Sequence, residues 1–219
     1  MTGRPAAGGG RHVDVAPERL EKWLSGFVEN HGAVVCDATP ALVRVIAADG
    51  ALAECEVPFP PLAVDHPAAY ADLVAHALRP RRIGVLLVRL GGYAVGVFEG
   101  STLVSSKVGS RQVHGRSAAG GWSQQRFARR REGQARDALS DAADTAVRIL
   151  LPVAPGPALD AIVLGGDKRA VSAVMEDPRL ASLRPRVQPR VIDVPDPRLR
   201  VLQDSPRLFR SVRIRVVDP

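Results

Sequence analysis

The chain has 219 residues, enough for one good-sized domain or for a domain with a small accessory piece. Hydrophobic residues make up 46% of it but aromatic residues only 4%, so we expect a core of Val, Leu, Ile and Ala. The two cysteines, Cys36 and Cys55, imply no disulfide framework; we expect reduced thiols, with a single bridge between them left open. The five histidines lack the spacing of metal ligands, so we expect no metal site, and we expect no cofactor. No run of about 18 apolar residues occurs, so we expect no membrane span. We expect a cytoplasmic protein and a monomer.

The net charge of +7 is concentrated in one segment of the chain. Residues 107–136 carry eight basic side chains and one acidic side chain, Glu132, and eight minus one equals the whole excess of seven. A charge run usually forms a solvated face, but solubility does not require clustering on an otherwise balanced chain. A polyanionic partner is therefore the leading explanation. The basic residues are Lys107, Arg111, Arg116, Arg126, Arg129, Arg130, Arg131 and Arg136.

The first part of the chain predicts a flexible tail over 1–16, followed by a small α+β region over 17–60. A helix is predicted over 17–30, because proline suits a first helical turn and apolar residues recur on one face. Trp23 belongs to this apolar stripe, so we expect it in the core. Asp49-Gly50 stands between two strand-like runs and predicts a β-hairpin.

A larger domain is predicted over 61–219, and it opens with a helix over 66–78. Three strand-like runs follow with short glycine turns between them, which predicts an antiparallel meander. These runs cover 82–90, 93–98 and 102–108. Glycine then recurs among Ser and Ala, so residues 109–125 predict a flexible loop with a GGxxQ pattern.

A long helix is predicted from Ser123, a residue type suited to capping, because alanines recur beyond it at three- and four-residue steps. Arg126, Arg129 and Arg130 fall on one face of its first turns. Arginines at a helix N-terminus oppose the macrodipole, at about 0.3–1 kcal/mol each when exposed. Helix stability therefore does not explain the position of these arginines, which indicates that they have another role.

The remaining pattern alternates strands and helices and ends in an alternating run that predicts an edge strand. A meander followed by helix, strand, helix and strand indicates an α/β fold class, a mixed β-sheet flanked by helices. Gly165-Gly166-Asp167 lacks the spacing of a phosphate-binding loop, which favours a turn followed by a helix cap. The predicted elements are a strand over 161–164, a turn at Gly165-Gly166, a helix over 168–175, a strand over 190–194 and the edge strand over 212–217.

The glycine-rich loop is the place where the sequence suggests chemistry. No GxSxG elbow and no paired carboxylates occur, so serine or carboxylate catalysis has no candidate. Gly120-Gly121 allows main-chain amides to approach a substrate closely. Gln124 and Gln125 follow, and a glutamine is no ordinary base, but it can orient water while its backbone N–H stabilises an oxyanion. Neighbouring arginines would position the loop through RNA phosphates.

The segment GGWSQQRFARRR resembles the GGQ signature of archaeal and eukaryotic class I peptide-chain release factors, usually GGQSxxRFxRxR. The HGR at 114–116 resembles the tripeptide that commonly precedes this signature, with three residues inserted. The resemblance in element order runs from about 82 to 194. It implies the release factors' central domain, an RNase H-like fold that carries the loop into the ribosomal peptidyl-transferase centre. The matching positions are Gly120, Gly121, Ser123, Arg126, Phe127, Arg129 and Arg131.

Trp122 occupies the position of the GGQ glutamine. A related branch, the Vms-type release-factor-like hydrolases of ribosome quality control, has its glutamine in a GxxQ arrangement, and Gly121-Trp122-Ser123-Gln124 fits that spacing. The chain resembles a bacterial member of this branch. The resemblance implies that Gln124 is the catalytic residue, that Gly120 and Gly121 belong to the same catalytic loop, and that Gln125 is the alternative to Gln124. No codon-reading NIKS-type motif is present, so ribosome rescue fits better than codon-specific termination.

The resemblance implies a codon-independent, metal-independent peptidyl-tRNA hydrolase with the ribosome, its rRNA and peptidyl-tRNA as partners. The substrate is left open between intact ribosomes, split large subunits and free peptidyl-tRNA. A second hypothesis is a ribosome- or RNA-binding module of the same fold without catalysis. In that case Trp122 would stack on a base or simply pack at the helix start. The expected RNA-contacting residues are Arg116, Trp122, Arg126, Arg129, Arg130 and Arg131.

Overall fold

The computed structural model describes residues 4–6, 9–64, 70–89, 92–110, 123–151 and 158–219. The chain forms two compact units, and the first of them is built from both ends of the sequence. Unit 1 comprises Met1–Arg79 together with Pro206–Pro219, and unit 2 comprises Pro80–Ser205. The predicted boundary at residues 60 and 61 therefore differs from the observed one, because the second predicted helix packs into the core of unit 1.

The secondary structure follows the chain as a series of short strands with one long helix. In chain order the elements are β1 (Arg4–Pro5), β2 (Arg11–Val15), α1 (Pro17–His31), β3 (Val34–Ala38), β4 (Leu42–Ala47), β5 (Leu52–Glu56), α2 (Tyr70–Leu78), β6 (Arg82–Arg89), β7 (Gly92–Glu99), β8 (Thr102–Ser110), α3 (Ser123–Leu150), β9 (Ala161–Gly166), α4 (Lys168–Met175), a 3₁₀ helix (Pro178–Arg186), β10 (Val187–Ile192), α5 (Leu199–Asp204), α6 (Pro206–Phe209) and β11 (Val212–Val217).

Unit 1 is a six-stranded antiparallel sheet in the order β1-β2-β11-β5-β4-β3, with one face covered by α1 and α2. Helix α1 begins at Pro17 as the sequence predicts, and its apolar stripe buries Leu20, Leu24 and Phe27. The predicted hairpin is confirmed, since β4 and β5 pair antiparallel on either side of Asp49-Gly50. These local elements follow from patterns that lie within a few residues of each other.

Two predictions for unit 1 are wrong. Residues in the predicted flexible tail form β1 and β2, and Val13 and Val15 of β2 are buried. The predicted edge strand β11 lies inside the sheet, paired with β2 on one side and β5 on the other. The alternation in β11 does bury one face, but alternation reports only the faces of a strand and carries no information about its neighbours.

Unit 2 is a five-stranded mixed sheet in the order β10-β9-β6-β7-β8. Strands β6, β7 and β8 form the predicted antiparallel meander, while β9 runs parallel to β6 and β10 parallel to β9. Helices α3 and α4 bury Ala146 and Val171 against one face, and Leu202 of α5 lies against Gly96 on the other. The predicted mixed sheet flanked by helices is confirmed, whereas the RNase H-like assignment stays a prediction.

The predicted turn at Gly165-Gly166 is wrong, because β9 continues through both glycines. Gly165 packs against Leu87 and Ile192 at a distance that leaves no room for a side chain. The predicted cap that follows is confirmed. The Asp167 carboxylate accepts hydrogen bonds from the backbone N–H groups of Arg169, at 2.8 Å, and Ala170, at 3.1 Å, at the start of α4.

Candidate functional site

The predicted loop leaves unit 2 between the end of β8 at Ser110 and the start of α3 at Ser123. Gln124 and Gln125 therefore belong to the first turn of α3, as the sequence predicts. The loop residues with predicted roles lie outside the described residues, as do the side chains at the start of α3. The loop residues concerned are Arg116, Gly120, Gly121 and Trp122.

The start of α3 presents backbone N–H groups next to the predicted loop. The first four N–H groups of an α-helix have no partner within the helix, and the helix dipole gives this end a partial positive charge. Such an end binds anionic oxygen atoms. Because Gln124 and Gln125 stand here, their backbone amides belong to the group available to a reacting ester or a phosphate.

The charges of α3 are arranged against its dipole. Residues 123–136 contain five arginines and one acid, whereas residues 137–150 contain three aspartates and one arginine. Helix stability favours acids at the start and bases at the end. The structure confirms that the arginines lie within the first half of α3, with Arg126 in the first turn, where the dipole is most unfavourable for a cation. The five are Arg126, Arg129, Arg130, Arg131 and Arg136.

A contact joins β7 to α3, the helix that follows the predicted loop in the chain. The Tyr93 hydroxyl lies 3.1 Å from Oγ1 of Thr145, whose side chain is 2% exposed. The ring of Tyr93 also covers Gly109, where a Cβ atom would collide with it. Tyr93 thus contacts β8 one residue before this strand ends, and it contacts α3, which follows the predicted loop in the chain.

Gly92, next to Tyr93, lies at the end of the β7–β8 ladder, where the chain leaves the sheet. Gly92 pairs with Ser110 at the end of the β7–β8 ladder, and a Cβ atom on Gly92 would lie 2.7 Å from the Gly109 carbonyl oxygen. Two glycines on facing strands therefore allow the close approach at which the chain leaves the sheet. The sequence shows these glycines and the lone tyrosine near them, but it does not reveal the contact with Thr145, a hydroxyl within the apolar stripe of α3.

The far half of α3 is tied to the 3₁₀ helix by charge. Arg179 donates to Asp144 of α3 at 2.7 Å and to Asp177 at 2.7 Å. The hydrogen bonds from the Arg179 side chain and backbone lower the pKa of Asp177 to about 2. This cluster holds the acidic half of the helix, while its basic half stands beside the loop.

The described residues offer little else for catalysis. Cys36 and Cys55 are both free, on strands separated by β4, which removes the disulfide that the sequence left open. Burial raises the pKa of the Cys55 thiol to about 12, so a nucleophilic thiolate is not formed there at neutral pH. Among the residues that the structure describes, no group of three or more His, Cys, Asp or Glu residues is placed to hold a metal ion. None of the helices in this part of the chain is long and apolar enough to cross a membrane.

Unit 2 thus combines a mixed α/β sheet with a long helix that carries five arginines in its first half. The family model described as Actinobacteria/chloroflexi VLRF1 release factor matches residues 81–215, from the start of β6 into β11. The chain belongs to this family of release factors. The match leaves most of unit 1 outside.

Two solved structures that are similar to the chain are archaeal. One archaeal protein has 17% sequence identity and a TM-score of 0.39, over 74% of this chain and 48% of its own. The archaeal translation termination factor aRF1 has 13% identity and a TM-score of 0.39, over 91% of this chain and 66% of its own. The chain thus spans about half and about two thirds of these two proteins. No curated protein matches it in sequence.

Proposed function

We propose that the protein is a codon-independent peptidyl-tRNA hydrolase that releases nascent chains from stalled ribosomes or large subunits in ribosome rescue. The observation that carries the proposal is the start of α3 at Ser123, within the GGxxQ segment of a chain in a release-factor family. Gln124 then belongs to a helix end rich in free N–H groups. That combination suits an ester whose surroundings are RNA phosphates.

The proposed reaction is attack of water on the ester that joins the peptide to the tRNA 3′ end. Gln124 orients the water through its side-chain amide, which has no useful pKa and therefore acts by position. Backbone N–H groups of Gly120, Gly121 and the helix start stabilise the oxyanion of the tetrahedral intermediate. Removal of one such donor from a hydrolytic site typically costs about 2.7–4 kcal/mol. The step requires no metal ion.

The arginines serve binding in this proposal. Arg116 of the loop and the arginines of the first turns of α3 contact rRNA or tRNA phosphates, which fix the register of the loop without reading sequence. Their position at the unfavourable end of the dipole supports this role, since helix stability does not account for it. The helix residues concerned are Arg126, Arg129, Arg130 and Arg131.

The second candidate is a binding module that keeps the release-factor fold without hydrolysis. Trp122 at the position of the GGQ glutamine favours it, because an indole cannot orient water as an amide does and can instead stack on an RNA base. Both candidates expect binding to the ribosome. They differ only in whether peptide is released.

A release assay on ribosomal complexes with a trapped peptidyl-tRNA separates the candidates. We expect the wild-type chain to release peptide and Gln124→Ala to bind without releasing it. Gln134→Ala is a matched control, because Gln134 lies on the same helix about 15 Å further along its axis. Loss of release only in Gln125→Ala would move the catalytic role by one residue. Binding without release by the wild type would establish the binding module instead.

A further inference from the structure

Unit 1 contains a cleft between α1 and the strands β2 and β11, with a volume of about 500 Å³. A cleft of this size lies within the range of sites for small molecules or single nucleotides, about 300–1,000 Å³. It lies almost entirely outside the segment that the family model matches. The residues of its lining that matter below are Arg19, Lys22, Trp23, Gly26, Phe27 and Asn30.

Three aromatic rings follow one another along the helix wall of this cleft. Trp23 and Phe27 stack with their ring centroids 6.0 Å apart and an interplanar angle of 16°, and the centroids of Phe27 and His31 lie 4.7 Å apart. Phe27 is buried in the core, whereas Trp23 is only partly buried. The indole therefore has core contacts on one side and lines the cleft as well, which makes it a rigid surface for a further ring.

The free charge at the cleft is positive. Arg19 and Lys22 are exposed on α1, and neither makes an ion pair or side-chain hydrogen bond within the parts of the chain that the structure describes. The acid of the cleft, Asp14, is paired with Arg213 at 3.6 Å. The third cation, Arg11, is paired with Asp218 at 3.3 Å, at an exposed position. Two cations are thus available to an anion beside the aromatic wall.

Gly26 is a glycine that the fold itself does not require. It stands in the middle of α1, where glycine is the poorest helix former after proline. Its φ lies outside the left-handed region, and a Cβ atom on it would meet no other atom within 4 Å. Neither backbone conformation nor packing accounts for this residue. Its missing side chain instead adds open space to the cleft between Trp23 and Asn30.

We propose that this cleft binds a nucleotide of single-stranded RNA, with the base on Trp23 and the flanking phosphates on Arg19 and Lys22. Sites for single strands combine a positive groove with aromatic rings on which bases stack. The amide of Asn30 offers both a donor and an acceptor to a base edge. This RNA contact lies on unit 1 and does not depend on Gln124 or on the hydrolysis of peptidyl-tRNA.

The cleft can be followed through its own tryptophan. The chain has two tryptophans, so Trp23 is the sole one in the full-length Trp122→Phe variant. Titration with a short single-stranded RNA of mixed sequence is expected to quench Trp23 fluorescence saturably. An absence of quenching, while fluorescence anisotropy shows that the same RNA is bound, would overturn the proposal. Equal quenching by a mononucleotide at the same nucleotide concentration would overturn the assignment to an RNA strand.

Two substitutions at one position test the space in the cleft. Gly26→Leu in the Trp122→Phe chain fills the cleft with the side chain of a good helix former, so we expect this variant to fold. The RNA concentration needed for half of the quenching should rise about tenfold or more, which is the order of one lost base stack. Gly26→Ala is the matched control and should keep the quenching, because a methyl group occupies little of the cleft. Quenching that Gly26→Leu leaves unchanged would overturn the proposal.

The phosphate contacts are tested by salt. The slope of log affinity against log salt concentration is negative, and Arg19→Gln and Lys22→Gln should each make it shallower by about 0.7, the value for one single-strand phosphate contact. Arg207→Gln removes the same charge from an exposed site of unit 1 that does not line the cleft, and it should leave the quenching curve unchanged. Equal effects of all three substitutions would assign the binding to net charge and overturn the site.

Discussion

The Tyr93 hydroxyl and the Thr145 hydroxyl lie 3.1 Å apart in unit 2, and this contact joins β7 to α3. Whichever hydroxyl donates, Thr145 is almost fully buried and cannot exchange this partner for water. The contact therefore fixes where α3 lies relative to β7, the strand that pairs with β8. We expect it to affect both the stability of the unit and the placement of Gln124.

Tyr93→Phe should destabilise unit 2 by about 1–3 kcal/mol, because the buried Thr145 hydroxyl loses its partner. Urea denaturation measures the change in the free energy of unfolding. The double variant Tyr93→Phe/Thr145→Val should regain part of the loss, since removal of both polar groups leaves nothing unsatisfied. A single variant as stable as the wild type would show that the hydroxyl contact contributes nothing.

Gly109→Ala should displace the Tyr93 ring, because the new Cβ atom would occupy the same space. We expect lower stability and slower peptide release in the ribosomal assay, since β8 leads directly into the loop. Gly133→Ala on α3 is the matched substitution, because a Cβ there meets no atom within 4 Å. It should stabilise the helix by up to about 1 kcal/mol. Equal effects of the two substitutions would contradict the role of Gly109.

Arg130→Ala should weaken binding to ribosomes in a salt-dependent way. Loss of one phosphate contact makes the negative slope of log affinity against log salt concentration shallower by about 0.7–0.9. Co-sedimentation with large subunits over a series of salt concentrations measures this slope. Arg148→Ala, at the other end of α3, removes the same charge and should keep the wild-type slope. An unchanged slope for Arg130→Ala would leave that arginine as an ordinary solvated residue.

We expect Asp177 to contribute to the fall in the free energy of unfolding at acid pH. Hydrogen bonds from Arg179 lower its pKa to about 2, so its contribution to stability is complete above the unfolded value of about 4 and disappears as the pH falls through about 2. Asp177→Asn keeps a side-chain acceptor for the 3₁₀ helix but should flatten the fall in stability over this range, as followed by urea denaturation. Asp196→Asn, an exposed acid of the same unit, controls for net charge. A variant with the wild-type acid limb would contradict the role of the pair.

Local elements could be predicted from the sequence because their signals lie within a few residues. Helix α4 has its cap Asp167 directly before its first residue, and α1 has a proline and an apolar stripe of its own. Double glycine was ambiguous: at Gly165 it permits close packing inside a strand, although the same pattern also marks turns. The position of β11 could not be predicted, because its pairing with β2 and β5 joins distant parts of the chain.

The candidate site divides in the same way. Gln124, Gln125 and the arginines could be nominated because they stand together in one short segment with a recognisable motif. Tyr93 and Thr145 could not, because they are 52 residues apart and either residue alone is an ordinary one. The cleft on unit 1 is also invisible in the sequence, where Trp23 belongs to a core stripe and Gly26 merely interrupts a helix. Only the packing of α1 on β2 and β11 brings its lining together.

The central place of β11 sets an order of events during synthesis. All residues of unit 2 are contiguous, so its sheet can be completed once Ile192 has left the ribosome. The sheet of unit 1 has a gap between β2 and β5 until residues 212–217 emerge. A protein in a release-factor family therefore depends on its own translation passing β11, and premature termination before that strand leaves two open strand edges in the product.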